Sequence, residues 1–438
     1  MVARPAHGDR AQGLRCGDPA RGPQDDLRQV IHRIKSTVAA LEADMIGWRR
    51  HLHQDPERAF RETATVRFVV DKLRAEGIEV RDGVGKLTPD ADGTGAIAFV
   101  RGENGKSDAC IAIRADLDAL PITEVGKEGY CSQNPGVMHA CGHDAHTAMV
   151  LGAGIALHRL RKEWSGTVML VFQPGEEKEP GGASLLVKEG VFNDPKPSGI
   201  LGQHVTPELP IGKLGFRSGP FMAAADELYI TVKGRGGHAG SPHLCIDPVP
   251  IAAQLILALQ QIVSRRNKPG QPMVLSLGKV IANGATNIIP DEVRIEGTMR
   301  TFDEAWRSEL HRLLPELARG TCEGLGASVD FTIVKGSPVV KNDPELTARI
   351  RAAAVEFIGE ANVVDMDIRM GAEDFAYYTH VMPGCFFRLG TGNPSKPGTQ
   401  SGLHRAEMDI DEDALAIGAG MMAWGAISEL EGCVSFGS

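Results

Sequence analysis

No apolar run in this chain approaches the ~18 residues that a helix needs to span a bilayer. That leaves membrane helices out of the reading. No block of Lys or Arg stands out either. The net charge is −9, with acidic and basic residues interspersed, which argues against nucleic acid as the main partner. The cysteines, at 16, 110, 131, 141, 245, 322, 385 and 433, form no Cys-x-x-Cys pair and no dense framework. A reduced, cytoplasmic setting fits that scatter. The first 24 residues hold Arg4, Arg10, Arg15 and Arg21 among Gly and Pro, without the apolar core of a secretory signal. Residues 1–24 are expected to be a disordered leader or the product of an upstream start codon. Asp9, Asp18 and the glycines fit a transit peptide poorly.

What is present is ordinary in bulk. The 438 residues are 42% hydrophobic and 24% charged, enough for a large core and for two or three domains. From about Asp25 to Gly77, Leu27, Val30, Ile31, Ile34, Val38 and Leu41 recur at helical spacing, with an interruption near Asp55-Pro56. Strands are then predicted at Ala96–Val100, Ala109–Arg114, Thr167–Phe172 and Ile200–His204. Helices are predicted at His146–Arg161 and Gly182–Glu189. Strands alternating with helices point to an α/β fold with a mainly parallel sheet. The rhythm changes after Gly215–Pro220. Strands at Asp226–Lys233, Met273–Val280, Glu292–Arg300 and Ser328–Lys335, with helices at Pro248–Val263 and Glu304–Ala318, give a β-α-β-β-α-β order. That is the ferredoxin-like, split βαβ signature of an α+β unit. It predicts an insert over 218–336 between two parts of one domain, 25–217 and 337–438. The last part carries a helix at Asp343–Ile358, a strand at Val363–Arg369, a helix at Glu373–Val381, a strand at Cys385–Leu389 and a closing helix at Asp411–Leu430.

The chemistry gathers around Met138-His139-Ala140-Cys141-Gly142-His143-Asp144. Cys141 and His143 are too close in sequence to share a helix face. On a turn they can converge, and Gly142 lets the backbone bend there. Thiolate and imidazole both suit a transition metal. Taken alone, Cys-x-His is as readily a turn with a buried thiol and a surface histidine. Other metal-competent residues stand at or just after strands: Asp116, the pair Glu176-Glu177, His204 and His404. Open α/β sheets bind ligands outside the C-terminal ends of their strands, so these groups could meet. Each alone reads more readily as a solvated or core side chain; together they would need several coincidences. Five donors exceed the four of a closed structural zinc. They suit a hydrolytic site with two ions ~3.5–4 Å apart. Of two adjacent glutamates, one can hold metal while its neighbour acts as general base on the water.

Met-His-Ala-Cys-Gly-His-Asp, Arg-Ala-Asp-Leu-Asp-Ala-Leu-Pro, Gln-Pro-Gly-Glu-Glu, Gly-Ala-Glu-Asp-Phe and Ser-Gly-Leu-His together resemble the M20 metallopeptidases, in that family's order, over roughly 30–430. They are most similar to the amidohydrolase branch, subfamily D, of hippurate hydrolases and N-acyl-amino-acid amidohydrolases. The resemblance implies a two-metal peptidase-type domain and an inserted lid and dimerisation domain. It implies Cys141, His143, Glu177, His204 and His404 as metal ligands, with Cys141 bridging, and Glu176 as general base. It implies two divalent ions per subunit, with Mn²⁺, Zn²⁺, Co²⁺ and Ni²⁺ all compatible with mixed S/N/O donors. Other branches carry a metal-binding histidine where this chain has Arg114; Asp116 of the same stretch is retained, with a helper role.

Within the insert, His238 lies on the glycine-rich turn Gly234–Pro242. By itself this reads equally well as a hairpin turn with an exposed histidine. The resemblance implies that His238 steadies the oxyanion in the partner subunit's site, making a homodimer the catalytic unit; a tetramer of paired dimers is the alternative assembly. Asn287 and Arg300 are candidates for gripping a substrate carboxylate or carbonyl, Arg300 through a forked contact; a strand-end surface charge is the plainer reading of Arg300. His139, Asp144, His146 and Glu373 are expected around the ligands. The leading expectation is hydrolysis of small-molecule N-acyl amino acids. The alternatives are a small-peptide carboxypeptidase or dipeptidase, a deacetylase of acetylated diamino acids, and a non-catalytic binding protein on the same fold.

Overall fold

The computed structural model describes residues 23–126 and 129–432. Strand Cys110–Asp116 is buried along its whole length. Ile111, Ile113 and Ala115 enter one hydrophobic core, and Cys110 and Ala112 enter another. Side chains alternate between the faces of a strand, so a continuous apolar run is covered on both sides. This strand pairs in parallel with Thr167–Gln173 and with Ile200–Pro210, and the latter pairs in parallel with Gly384–Gly392. These four strands form the centre of an eight-stranded mixed sheet. One flank adds Gly95–Arg101 and Glu79–Val84, both antiparallel. The other adds Leu214–Phe216, antiparallel to Gly384–Gly392, then Val363–Asp365, parallel to it.

Helix His143–Arg159 and helix Ala414–Glu431 cover one face of this sheet. The first is buried from His143 to Leu157, because it lies between the sheet and other helices. A Cβ at its Gly154 would come 2.3 Å from Leu170 Cδ1, so the missing side chain lets helix and sheet approach. The opposite face carries the shorter helices Gly182–Lys188 and Ala376–Thr379.

A second sheet has four strands, in the order Met273–Ile281, Glu292–Thr301, Ala224–Lys233, Ser328–Lys335, all antiparallel. Helices Pro248–Gln261 and Glu304–Glu323 complete the β-α-β-β-α-β order. Leu228, Ile230 and Val232 alternate inward to a third core shared with Leu255, Leu259, Leu310 and Leu314. Asp247 and Asp303 cap the two helices, accepting from the backbone N–H groups of Val249 and of Ala305 and Trp306. Arg307 fastens both ends of this unit. Its guanidinium lies 2.5 and 3.0 Å from the two Asp226 oxygens and donates to the carbonyls of Ala225 and Gly336.

Several expected boundaries move. The helical stretch at 25–77 is three helices, Pro23–Ala40, Glu42–Gln54 and Thr63–Ala75. Pro56 keeps Asp55 out of the helical region, at φ −122° and ψ 60°. The helix predicted from His146 starts at His143, and the one predicted from Asp411 starts at Ala414. Strand Ile200 runs on to Pro210, so His204 lies inside it rather than at its end. The strand predicted to reach Arg369 stops at Asp365, where the chain leaves the sheet to line a cleft. The helix predicted over Glu373–Val381 shrinks to Ala376–Thr379 because Glu373 and Asp374 are drawn to Arg114. The expected leader lies outside the described residues, except for Pro23 and Gln24, which open the first helix.

Candidate metal centre

Gly142 has φ +86°, a left-handed conformation, and stands immediately before helix His143–Arg159. A Cβ there would also meet Val205 Cγ2 at 2.4 Å. Glycine thus meets two requirements, backbone conformation and closeness to the neighbouring strand. The turn sends Cys141 and His143 toward His204, and the three offer donor atoms within 4.8 Å of one another. Cys141 Sγ is 3.3 Å from His204 Nε2. His204 Nδ1 lies 2.7 Å from the Val205 carbonyl, so the proton belongs on Nδ1 and the Nε2 lone pair faces the thiol. His146 is held differently. Its Nε2 accepts from Val205 N–H at 3.0 Å and its Nδ1 donates to Asp116 at 2.6 Å.

The glutamate pair follows strand Thr167–Gln173 on a turn that Asp118 fixes. The Asp118 carboxylate accepts the backbone N–H groups of Glu176 and Glu177 at 3.0 and 2.9 Å. Glu177 Oε1 is 3.1 Å from His404 Nε2. His404 comes from a loop and has φ +63°; its backbone N–H is tied to the Ala140 carbonyl at 2.8 Å. Cys141, Glu177 and His404 form a second group of converging donors, and His143, Glu176 and Glu177 a third. Cys141, His143 and Glu177 each belong to two of these three groups.

The residues fit divalent cations. Both ring nitrogens of His143, and Glu177 Oε1, are buried with no well-formed hydrogen bond among the described residues. His143 Nε2 stands 3.5 Å from Asp116 and Nδ1 3.3 Å from Asp118. Buried polar atoms are normally satisfied, so His143 and Glu177, which also share a cluster of converging donor atoms with Glu176, leave room for a further partner. The electrostatics agree. Burial, then Glu373, Glu177 and Asp374, push Glu176 well above the ordinary carboxylate range. Burial and Glu177 push the Cys141 thiol up, and burial with Arg388 holds His204 well below its usual value. His404 is raised to about 10 by Cys141 and Glu177. In each case a bare charge is disfavoured, or a proton stands between acceptors, where a cation would serve. A thiolate, imidazoles and carboxylates in one cluster suit a divalent transition metal.

Asp116 lies behind His143 and also bonds Arg114, at 2.7 Å. Arg114 is buried and donates further to Gln173 at 2.9 Å and to Glu373 and Asp374 at 3.0 Å. It occupies the position with a cation that is part of the protein. Asp144 accepts from Arg49 at 3.0 Å and sits 2.7 Å from His53 Nδ1. His139 is buried with neither ring nitrogen bonded among the described residues, and burial lowers its pKa to about 3. Asp118, Gln173 and Asp374 were missed as participants by the sequence reading. Each carried a signal: Asp118 lies two residues beyond Asp116 in the same acidic stretch, and Gln173 and Asp374 stand inside Gln-Pro-Gly-Glu-Glu and Gly-Ala-Glu-Asp-Phe.

These donors open onto a cleft of about 1390 Å³ between the two sheets. Cys141, Glu176, His204 and His404 line one side; Arg300, from strand Glu292–Thr301, lines the other. Arg300 is half-buried and its Nε donates to Thr298 Oγ1 at 3.1 Å. His238 and Asn287 do not line this cleft. Both are exposed where strand Gly237–His238 pairs with Ile288–Ile289, and the Asn287 carbonyl accepts from Ala239 N–H.

Residues 112–424 match the model of peptidase family M20/M25/M40. The chain is 39% identical over 393 residues to an N-acetylcysteine deacetylase of Bacillus subtilis, covering 90% of this chain and 98% of that protein. It is 41% identical over 311 residues to an N-acyl-L-amino acid amidohydrolase of Geobacillus stearothermophilus, covering 71% and 81%. A solved Bacillus subtilis structure, a dinuclear metal-binding peptidase of family M20, superposes with a TM-score of 0.75 at 34% identity, covering 90% of this chain and 99% of that one. The matched span runs from the central strand Cys110–Asp116 through the second sheet to the closing helix, and the chain belongs to peptidase family M20/M25/M40.

Proposed function

We propose that this protein is a two-metal hydrolase of N-acyl amino acids. The observation that carries the reading is the overlap of donor groups, in which Cys141 links Cys141–His143–His204 to Cys141–Glu177–His404. Cys141, His143, His204, Glu177 and His404 would hold two divalent ions, with the Cys141 thiolate common to both donor groups. Two divalent ions there would supply an activated water and a Lewis acid for the scissile carbonyl. Glu176 accepts the proton of the attacking water and passes it to the leaving amine. Asp116 and Arg114 position His143 and the carboxylates behind it. Arg300 takes the substrate's carboxylate from the opposite wall of the cleft; Asn287, exposed beside His238 and outside its own cleft, takes the carbonyl only from the second subunit, together with His238. His238 supplies an oxyanion donor from the second subunit of a homodimer formed through residues 218–336; its exposure outside its own cleft supports that role. The ions are Mn²⁺, Zn²⁺, Co²⁺ or Ni²⁺, and the setting is cytoplasmic.

A second reading is carboxypeptidase action, favoured by 35% identity over 392 residues to thermostable carboxypeptidase 2 of Saccharolobus solfataricus. One experiment separates the two. Metal per subunit is counted by mass spectrometry, and release of amino acid is followed from N-acetyl, N-benzoyl and aminoacyl donors on the same sample. Close to two ions and preferential cleavage of acyl donors is the expected result. Preference for aminoacyl donors moves the protein to the peptidase reading, and no metal with no turnover after reconstitution sinks both.

A further inference from the structure

Two arginines stand on one face of the central sheet. Arg114 is in register with Gly202, and Arg388 with His204, two residues further along the same strand. Side chains two apart share a face, so both point the same way. Arg114 is 1% exposed and Arg388 2%. Arg114 is saturated by three carboxylates and Gln173. Arg388 has none of this. Its Nη2 meets Met222 Sδ at 3.0 Å, a weak acceptor, and its Nε and Nη1 have no partner among the described residues. The guanidinium lies over the rings of Phe221 and Phe386, at 5.8 and 5.3 Å from their centroids.

Stacking on aromatic rings offsets part of the cost of burying a guanidinium, but it supplies no counter-ion. Burial and Arg369 bring Arg388 down to about 10, which leaves it charged at neutral pH. Cations held by the adjacent His204 would add repulsion. Phe386, two residues back on the same face of the strand, is buried and apolar, and no carboxylate hydrogen-bonds Arg388 among the described residues. A guanidinium there is useful where an anion arrives, and Arg388 lines the cleft beside Cys141, His204 and Met222. Arg300 lines the same cleft from the second sheet, so the cleft presents an arginine on each wall.

We propose that Arg388 binds a carboxylate of the substrate in addition to the amino-acid carboxylate, so that the preferred substrates are dicarboxylates. This deepens, and rests on, the reading of the site as an N-acyl-amino-acid hydrolase. The second carboxylate belongs either to a dicarboxylic acyl group or to an acidic amino-acid side chain; the chemistry at Arg388 is the same.

The test has a binding arm and a kinetic arm. Glutarate and its monocarboxylate counterpart pentanoate are titrated by calorimetry into the metal-loaded, full-length protein, wild type, Arg388→Met and Arg388→Lys. Wild type should bind glutarate at least tenfold tighter than pentanoate. Arg388→Met should lose that ratio, and Arg388→Lys should keep part of it. Equal affinities in wild type, or a ratio that survives Arg388→Met, overturns the proposal. If Arg388→Met fails to fold, the wild-type ratio and Arg388→Lys decide: a ratio reduced in a folded Lys variant supports it and an unchanged ratio opposes it. In the kinetic arm, kcat/KM is compared for N-glutaryl-L-alanine against N-pentanoyl-L-alanine, and for N-acetyl-L-glutamate against N-acetyl-L-glutamine. The pair with the larger ratio identifies which half of the substrate carries the carboxylate. Absence of all turnover with the glutarate ratio intact would sink the hydrolase reading and leave Arg388 as an anion site.

Discussion

Gly142 is the residue on which the donor geometry turns. Gly142→Ala would impose a side chain at φ +86° and a contact with Val205 at 2.4 Å. The expected cost is roughly 2–4 kcal/mol, from backbone strain and overpacking together. Thermal unfolding would register it, and metal occupancy should fall as Cys141 and His143 are displaced. Glu176→Gln tests a different property. The amide keeps the shape of the side chain and removes its basicity, so turnover should drop by about 10²–10⁴ with fold and metal content retained. Rates like those of the wild type would remove Glu176 from the base role. At this scale the sequence was most legible where chemistry and backbone constraint coincide in a short stretch, as in Cys141-Gly142-His143. It was least legible where partners are far apart. Nothing near Arg114 announces that Glu373 and Asp374 will surround it, and Arg388 hides inside an apolar strand.

At the scale of elements, alternation exposed the second sheet because Leu228, Ile230 and Val232 must all face one pair of helices. Strands Leu214–Phe216 and Val340–Asn342 escaped notice because three residues carry no readable period. They form by pairing with neighbours already in place. Arg307 and Asp226 tie together the two ends of the second unit, at Ala225 and Gly336. Burial would raise the Asp226 carboxyl, but Arg307 and His311 hold it below its ordinary range. Its folded pKa is therefore lower than its unfolded one. That contribution to stability is complete above the unfolded value, about 4, and is lost as pH falls through the folded one. Arg307→Met would leave Asp226 buried without its guanidinium, at a cost of about 3–5 kcal/mol. Hydrogen exchange at Ala224–Asp226 and Gly336 should rise in this variant, and at low pH in the wild type. Protection unchanged in both would mean that the two ends are held elsewhere.

At the scale of the whole molecule, a metallo-amidohydrolase of this family needs its cations for more than chemistry. Glu176, Glu177, Glu373 and Asp374 crowd one region, and bound ions would offset their repulsion. Chelation should lower the melting temperature and readdition should restore it; at free metal one hundredfold above Kd the gain is about 2.7 kcal/mol per site. Melting that ignores chelator would separate stability from metal. Subunit cooperation has its own test. If the protein is a homodimer and His238 works across its interface, mixing the Glu176→Gln and His238→Ala proteins should recover activity after subunit exchange. Proven exchange without recovery would confine His238 to its own chain or leave it idle.

The ion pair between Arg114 and Glu373 joins residues 259 positions apart. A ribosome adding ~5–20 residues per second needs roughly 13–50 s to make that stretch. During that interval the nascent chain carries Arg114, Cys141, His143 and His204 without the loop that bears His404. An exposed thiol and two imidazoles can bind metal ions loosely before the complete cluster exists. A centre that includes His404 would therefore be completed only once this late loop has been made, well after Cys141, His143 and His204.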